Sequence, residues 1–440
     1  AHESRDPQVS KAAHPKAAKA AHESRDPQSS HAKAEEKPRT SRKALKILIS
    51  IILLLIIGIA GTVAYMYKTA ADSIDITFIS DAPQIEFGDK TSSMDLVSSS
   101  VGDVTVSDDQ LDVYTLGEHE LVYTVTQPIL GGLLAPSSDY NLSYTVIDTV
   151  PPVTLWSGDG TTLLQGTEFD INKIVGYGDN ADPAPSIDVD GKVDMDTAGT
   201  YPLHITVKDS SGNATEWDMN VYVTDSFQTY YDTAERTQFK DFAKKYGKDA
   251  VCGIDVSSWQ GDVDYKAAAK AGCDFVMIRI GYSVDGEVTI DSKFEQNLKR
   301  AKKAGLKVGL YLYSYDNTED EVRASAKWVI EKLGGESLDL PIAFDWEDFE
   351  NFQNYEMSFT QLNRLYDCFA EELNTVGYGC ILYGSKLRLE NVWEETDTRP
   401  VWLAHYTDAT DYEGPYMIWQ QSNTGRIDGI DGDVDMDVMY

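Results

Sequence analysis

Leu340-Pro-Ile-Ala-Phe-Asp-Trp-Glu347 is an apolar, strand-like run that ends in two carboxylates set two residues apart. Side chains of a strand alternate between its faces, so Asp345 and Glu347 project one way and Trp346 the other. Like charges converging in a partly desolvated place oppose folding. Paired carboxylates are also the working parts of glycosidic-bond hydrolysis, which makes that cost intelligible. Two rises of about 3.3 Å set the two Cα atoms roughly 6–7 Å apart, between the carboxylate spacings of retaining and inverting chemistry.

Around this run, strand-like segments recur at 251–256, 275–281, 307–314, 340–346, 380–383, 401–405, 416–420 and 433–438. Amphipathic stretches such as 291–304 and 319–333 lie between the earlier ones. Alternation of this kind predicts a parallel sheet, and eight strands over 250–440 fit a β/α barrel of the TIM type. The later connections are too short for full helices, so an irregular barrel is expected. In such a barrel the site gathers at the strand ends. Those ends carry Asp255, Tyr313, Asp345, Glu347, Tyr383, His405, Gln420 and Asp435. A single strand-end Asp is more often a helix cap or an ion-pair partner. So many polar groups ending otherwise apolar strands point to chemistry.

Upstream, 73–224 reads as all-β. Thr115-Leu-Gly-Glu-His-Glu-Leu-Val-Tyr-Thr-Val125 aligns with Thr197-Ala-Gly-Thr-Tyr-Pro-Leu-His-Ile-Thr-Val207, each a glycine turn leading into an alternating strand. Final strands follow at 140–147 and 216–223, and Pro151-Pro152 marks the joint. The repeat predicts two sandwiches, 73–149 and 150–224, which resemble the immunoglobulin-like (Ig-like) modules of bacterial surface proteins. With no evident aromatic binding face, a spacer role is the expectation. Residues 225–249, polar with aromatics near helical spacing, predict a linker helix.

The chain carries a net charge of −34, unevenly placed. Residues 1–46 hold eleven Lys/Arg against six Asp/Glu, leaving −39 for the remainder. An acidic body of that size excludes nucleic acid as a partner. Ala-His-Glu-Ser-Arg-Asp-Pro-Gln occurs at 1–8 and again at 21–28 in a tail, 1–45, too polar to bury a core. From Ile47 to Tyr67 no charge occurs. That span makes about 31 Å of helix, enough to cross a bilayer, and it is longer than the apolar core of a cleaved leader. The segment 46–67 is therefore expected to be a retained transmembrane helix, with the basic tail cytoplasmic and the rest outside.

Of the seven histidines only His405 lies beyond residue 250, which argues against zinc, Ser-His-Asp and Cys-His chemistry. The acidic run 428–437 lacks the order of an EF-hand loop, and no metal or cofactor is expected from it. Four cysteines in so long a chain are no disulfide scaffold. Burial as free thiols is the plainer expectation for Cys252 and Cys273, with a bridge left open.

Residues 251–440 resemble the glycoside hydrolase family 25 lysozymes, the Chalaropsis-type N-acetylmuramidases. The matching pieces are Gly253-Ile-Asp-Val-Ser-Ser-Trp-Gln-Gly261, Phe275-Val-Met-Ile-Arg-Ile-Gly281, Gly309-Leu-Tyr-Leu-Tyr313, Phe344-Asp-Trp-Glu347, Val401-Trp-Leu-Ala-His-Tyr406, Ile418-Trp-Gln420 and Gly432-Asp-Val-Asp-Met-Asp437. Asp437 stands where the family commonly has Asn, and His405 where Arg is frequent. The resemblance implies Glu347 as general acid with a raised pKa, Asp255 and Asp345 as ionised supporting carboxylates, and Asp435 as a further acid. It also implies Tyr313, Tyr383, Trp402, His405, Trp419 and Gln420 as sugar-binding or lining residues, for the aromatics against a plain core role. The implied substrate is peptidoglycan, cut between N-acetylmuramic acid and N-acetylglucosamine without a cofactor. A tether suggests wall remodelling beside an envelope machine. The rival readings are a non-catalytic glycan-binding scaffold and a glycosidase acting on another amino-sugar polymer.

Overall fold

The computed structural model describes residues 42–440 apart from 109, 228–234, 247–249 and 397. The expected basic tail, 1–45, lies outside the described residues except for its last four positions. A single helix, Arg42–Ser73, contains the apolar run and exceeds the expected span at both ends. Thr62 and Thr69 satisfy their hydroxyls on the carbonyls of Gly58 and Tyr65, so the helix presents few free polar groups along its length. By length and composition it could cross a membrane.

Two β units follow, and their repeat is visible in register as well as in sequence. In the first, strands 84–86, 137–147, 117–126 and 103–106 form one sheet, and 75–78 pairs with 97–101. In the second, 161–164, 214–224, 199–208 and 186–190 form the equivalent sheet, and 153–156 pairs with 176–178. The alternating residues Leu121, Tyr123, Val125 and Leu203, Ile205, Val207 are all buried, as a half-buried strand requires. Of the expected linker helix, Phe239–Tyr246 is helical, and Thr237–Gln238 instead pairs with Gly425–Arg426. The parts of that expectation at 228–234 and 247–249 lie outside the described residues.

The C-terminal sheet closes on itself. Strands Val251–Val256, Phe275–Val284, Lys307–Ser314, Ile342–Trp346, Cys380–Ser385, Val401–Ala404 and Ile418–Arg426 run parallel, each beside the next. The eighth, Val434–Met439, is antiparallel to both the seventh and the first, and it completes the ring. A fully parallel sheet is thus corrected at its last member. Only residues 427–433 separate strands seven and eight, and a parallel crossover needs a dozen or more. A further strand, Glu287–Ile290, folds back on Gly281–Val284 through Asp285 and Gly286, both at positive φ as a two-residue hairpin demands.

Alternation sorts the barrel into two cores. Ile254, Leu310, Leu312, Ile342, Phe344, Trp346 and Leu403 pack outward against the helices. Phe275, Met277, Ala343, Ile381, Tyr383, Trp402 and Ile418 fill the interior. Gly253 and Gly309 sit where any side chain would strike Phe275 and Met277, so the floor is filled to the backbone. All four cysteines are free and buried.

The second β unit seats on the segment that follows Asp345 and Glu347. Phe349–Tyr355 forms a short 3-10 turn whose Phe352 touches the backbone of Gly178 so closely that a Cβ there would lie 2.6 Å from its ring. Arg388 extends from helix Lys386–Asn391, stacks 4.6 Å over the Phe349 ring, and donates to the Leu155 carbonyl at 2.6 Å. The β unit, the turn and the barrel therefore share one packed seam.

Candidate active site

Inward-facing positions at the upper ends of the strands build a cavity of about 300 Å³. Strand one supplies Asp255, strand two Arg279, strand three Tyr311 and Tyr313, and strand four Asp345 with Glu347 just past its end. Strands five to eight add Tyr383, Trp402, Gln420 and Asp435. Eight of the ten expected residues therefore meet in one place: Asp255, Tyr313, Asp345, Glu347, Tyr383, Trp402, Gln420 and Asp435.

His405 and Trp419 do not line it. Each has the opposite parity to an inward neighbour on its strand, so alternation turns it away. Trp419 packs edge-on against Tyr246 at 6.0 Å and donates to the His405 carbonyl, while His405 Nδ1 lies 2.9 Å from Thr410 Oγ1. The cavity also holds residues not anticipated: Trp259, Arg279, Tyr311 and Tyr406. Alternation could have found Arg279 and Tyr311, since they share a face with Met277 and Tyr313. Trp259 is 85% exposed at the lip, on a turn capped by Ser257.

One hydrogen-bond hub organises the back wall. Gln420 Nε2 donates to Asp255 Oδ2 at 2.7 Å, and its Oε1 accepts from the hydroxyls of Tyr383 and Tyr406 at 2.8 and 2.9 Å. Asp255 stands directly across from Asp435 in the antiparallel register. Deeper in the barrel, Asp437 accepts from Trp402 Nε1 at 2.8 Å. Among the described residues lining the cavity, Arg279 is the sole cation, and it is committed to the buried Asp291 at 2.8 Å and to Ser258.

Acids crowded in this way resist ionisation. Burial pushes Asp255 well above the carboxylate range, and the charges of Asp435 and Asp437 add to it. Burial and then Glu347 do the same to Asp345, whose Oδ1 is buried without a hydrogen-bond partner. Both are displaced upward from the ordinary carboxylate range, because each lies in a desolvated wall facing other acids. Burial raises Asp435 to about 6. Glu347 is pushed up to about 7, by desolvation first, with Arg388 pulling it down and Asp435 adding to the rise. Its side chain keeps an open face to solvent at the cavity mouth, so water moderates this rise. Trp346 takes no part in it. That ring faces outward and donates its Nε1 to the Asp316 carbonyl at 3.1 Å.

A larger cavity, about 570 Å³, is lined by residues such as Arg364, Asp367, Glu371 and Arg399. Both of its arginines are already paired, Arg364 with Glu371 and Arg399 with Asp367, and it lies at the opposite ends of the strands, beside Gly379 and Cys380. Size alone does not make it the reactive site. A proton donor at a solvent-open mouth, backed by further carboxylates and aromatic walls, can protonate a leaving oxygen and stabilise positive charge beside it.

Comparison with known proteins bears on this arrangement. Residues 254–430 match the family described as Glycosyl hydrolases family 25, and 153–223 match Bacterial surface protein, Ig-like domain. An autolytic lysozyme of Clostridium acetobutylicum is 29% identical over 187 residues, 42% of this chain and 54% of that protein. Lysozyme M1 of Streptomyces globisporus is 30% identical over 203 residues, 42% of this chain and 66% of that one. The chain thus spans about half to two thirds of the length of these relatives. Among solved structures, a bacterial lysozyme from Streptomyces coelicolor is 26% identical, with a TM-score of 0.38 over 42% of this chain and 90% of its own.

Proposed function

We propose, from the premise that residues 254–430 form a family 25 glycosyl hydrolase domain of the lysozyme type, preceded by a bacterial Ig-like domain, that the whole chain is a membrane-anchored peptidoglycan hydrolase. It cleaves the β-1,4 bond between N-acetylmuramic acid and N-acetylglucosamine. Glu347 is the general acid, donating its proton to the glycosidic oxygen. Asp345, Asp255 and Asp435 form the acidic wall that stabilises the oxocarbenium-like centre and orients the incoming water. Tyr313, Tyr383, Trp402 and Gln420 line the sugar subsite, with Trp259 and Tyr406 beside them. His405 and Trp419 support that wall from outside.

The observation that carries this reading is the position of Glu347. It is an acid at the open mouth of the cavity, with a pKa raised toward neutrality, one alternation step from the buried Asp345. A general acid has to hold its proton at the working pH and still reach its substrate, and these conditions meet at Glu347. Supporting it, two relatives are lysozymes by name.

In the same reading, 73–149 is a second Ig-like module, the two modules are a spacer, and helix 42–73 is the anchor that leaves 75–440 outside the membrane. The acidic body gives no attraction to an anionic wall polymer, so the glycan is held by hydrogen bonds and stacking, next to an envelope assembly. The trial is wall digestion by the detergent-solubilised chain, with Glu347→Gln as control. Loss of at least about 100-fold in reducing-end release is expected. Equal release by both proteins refutes the assignment, and wall binding by wild type with no release at all points to a glycan-binding scaffold.

A further inference from the structure

Three acids outside the barrel remain unused by this chemistry. Asp148 follows the last strand of the first β unit, Asp179 follows strand Gly176–Gly178, and Asp209 follows strand Gly199–Lys208. One carboxylate oxygen from each lies within 4.8 Å of the other two. Their exposures are 7%, 0% and 5%, so all three are more than nine-tenths buried.

Each carboxylate is held in place from behind by its own turn. Asp148 Oδ1 accepts from the Val150 N–H at 3.1 Å and lies 3.5 Å from Asn180 Nδ2. Asp179 Oδ1 accepts from the N–H groups of Ala181 and Asp182 at 2.9 and 2.7 Å. Asp209 Oδ1 accepts from Gly212 and Asn213, and its Oδ2 from Asn213 Nδ2 at 2.8 Å. What these bonds leave over matters most. Among the described residues, Asp148 Oδ2 and Asp179 Oδ2 are buried with no hydrogen-bond partner, and so is the amide oxygen of the neighbouring Asn180. The Ser211 hydroxyl comes near Asp148 without satisfying that second oxygen.

Unpaired buried carboxylate oxygens are costly unless a cation meets them. Among the described residues no side chain supplies one here. The charges that act on Asp148 and Asp179 are those of other carboxylates, and burial with this repulsion pushes both acids upward. The donors are all hard oxygens, three of them from carboxylates, held on turns in no regular polyhedron. Zinc prefers nitrogen and sulfur, and magnesium demands near-ideal octahedral geometry and keeps its waters. Calcium accepts an irregular oxygen cage.

We propose that Asp148, Asp179 and Asp209 form a calcium site that locks the joint between the two β units. The lock extends to the barrel. The carbonyls of Asp179 and Asn180 accept the N–H groups of Phe359 and Thr360, at 2.8 and 3.4 Å, at the start of helix Phe359–Asn374. On the other side, Asn213 Nδ2 also donates to the carbonyls of Asp148 and Val150, just before Pro151-Pro152. One ion thus fixes the end of the first unit, two turns of the second and, through backbone, the wall beside Phe352. Sequence spacing gives no sign of this site: the three acids lie 31 and 30 residues apart and match no loop motif.

Calorimetric titration of the EDTA-treated full chain in detergent with CaCl₂ tests this. One ion per chain is expected, with Kd between about 10⁻⁷ and 10⁻³ M, the span of sensor and extracellular sites. Asp209→Asn and Asp148→Asn should each weaken binding at least tenfold, and Asp431→Asn, in the acidic run near the C-terminus, should leave it unchanged. Thermal melts give a readout that misfolding cannot mimic. The two neutral variants should melt above wild type in EDTA, where repulsion is relieved, and below it in excess calcium. Variants that melt lower than wild type in both conditions overturn the proposal, as does the absence of saturable calcium binding up to about 10 mM, ten times the weak end of that range. Magnesium binding as tightly as calcium overturns the identity of the ion.

Discussion

Gln420 and Asp255 meet across the barrel, Gln420 Nε2 donating to Asp255 Oδ2 at 2.7 Å, so strand seven fixes the orientation of an acid on strand one. Because Gln420 Oε1 also accepts from Tyr383 and Tyr406, one amide satisfies three polar side chains of the cavity wall. Gln420→Leu leaves all three short of a partner, at about 1–3 kcal/mol for each group that water cannot reach. We expect a fall in hydrolysis of roughly 10- to 100-fold together with a lower melting temperature, read by wall turbidity and circular dichroism. An unchanged rate would remove Asp255 from the chemistry.

Arg388 lowers the pKa of Glu347, although burial has raised it overall to about 7. If the protonated acid is the active form, activity is lost as pH rises through that pKa. Arg388→Gln removes the opposing charge, so Glu347 keeps its proton to higher pH. The basic limb of the kcat/KM profile is expected to move upward in pH. A limb that stays in place, or moves down, separates Arg388 from the proton donor.

Trp259 is 85% exposed at the cavity lip, where burial gives it no reason to exist. An aromatic plate beside a glycan cleft is a platform for a sugar face. Trp259→Ala should raise KM by about five- to tenfold, roughly 1 kcal/mol, with kcat and melting temperature unchanged. Steady-state kinetics on a soluble wall oligosaccharide decides it; an unaltered KM means that no subsite reaches the lip.

Gly178 has no room for a side chain, since a Cβ would sit 2.6 Å from ring atoms of Phe352 and Phe359. Phe352 in turn packs edge-on against Trp346 at 5.7 Å, one residue before Glu347. Gly178→Ala should destabilise by about 1–3 kcal/mol, as overpacking does. It should also lower activity, although the residue belongs to the Ig-like domain. Scanning calorimetry and turnover measured on one preparation test both halves. Full activity in a destabilised variant would show that the seam holds the modules without shaping the site.

Strand parity explains most of what was legible in the sequence. Asp345 and Glu347 could be paired from one run of residues because a strand leaves no choice of face. The same rule, carried through every strand, separates Gln420 from Trp419, places Arg279 and Tyr311 inside, and turns His405 away. Resemblance without parity overlooks those points. The hairpin at Asp285-Gly286 also carried its signal, the dipeptide that tolerates two positive φ values. Other features could not be read ahead. The upward displacement of Asp255 and Asp345 depends on how much water the closed ring excludes. Arg388 acts on Glu347 from a place set by the Leu155 carbonyl of the Ig-like domain and the Phe349 ring, which no motif announces.

Between the end of the apolar helix at Ser73 and the first strand at Asp75 there is one residue, Ile74, buried in the core of the first β unit. Its carbonyl accepts the Tyr140 hydroxyl at 3.1 Å, so no swivel separates the helix from the unit it carries. On the proposed anchoring, a hydrolase mounted in this way would have a set working height and would trim only glycan layers that pass its mouth. On that reading, duplicating the first β unit would change which layer is cut and keep the seam between the second unit and the barrel.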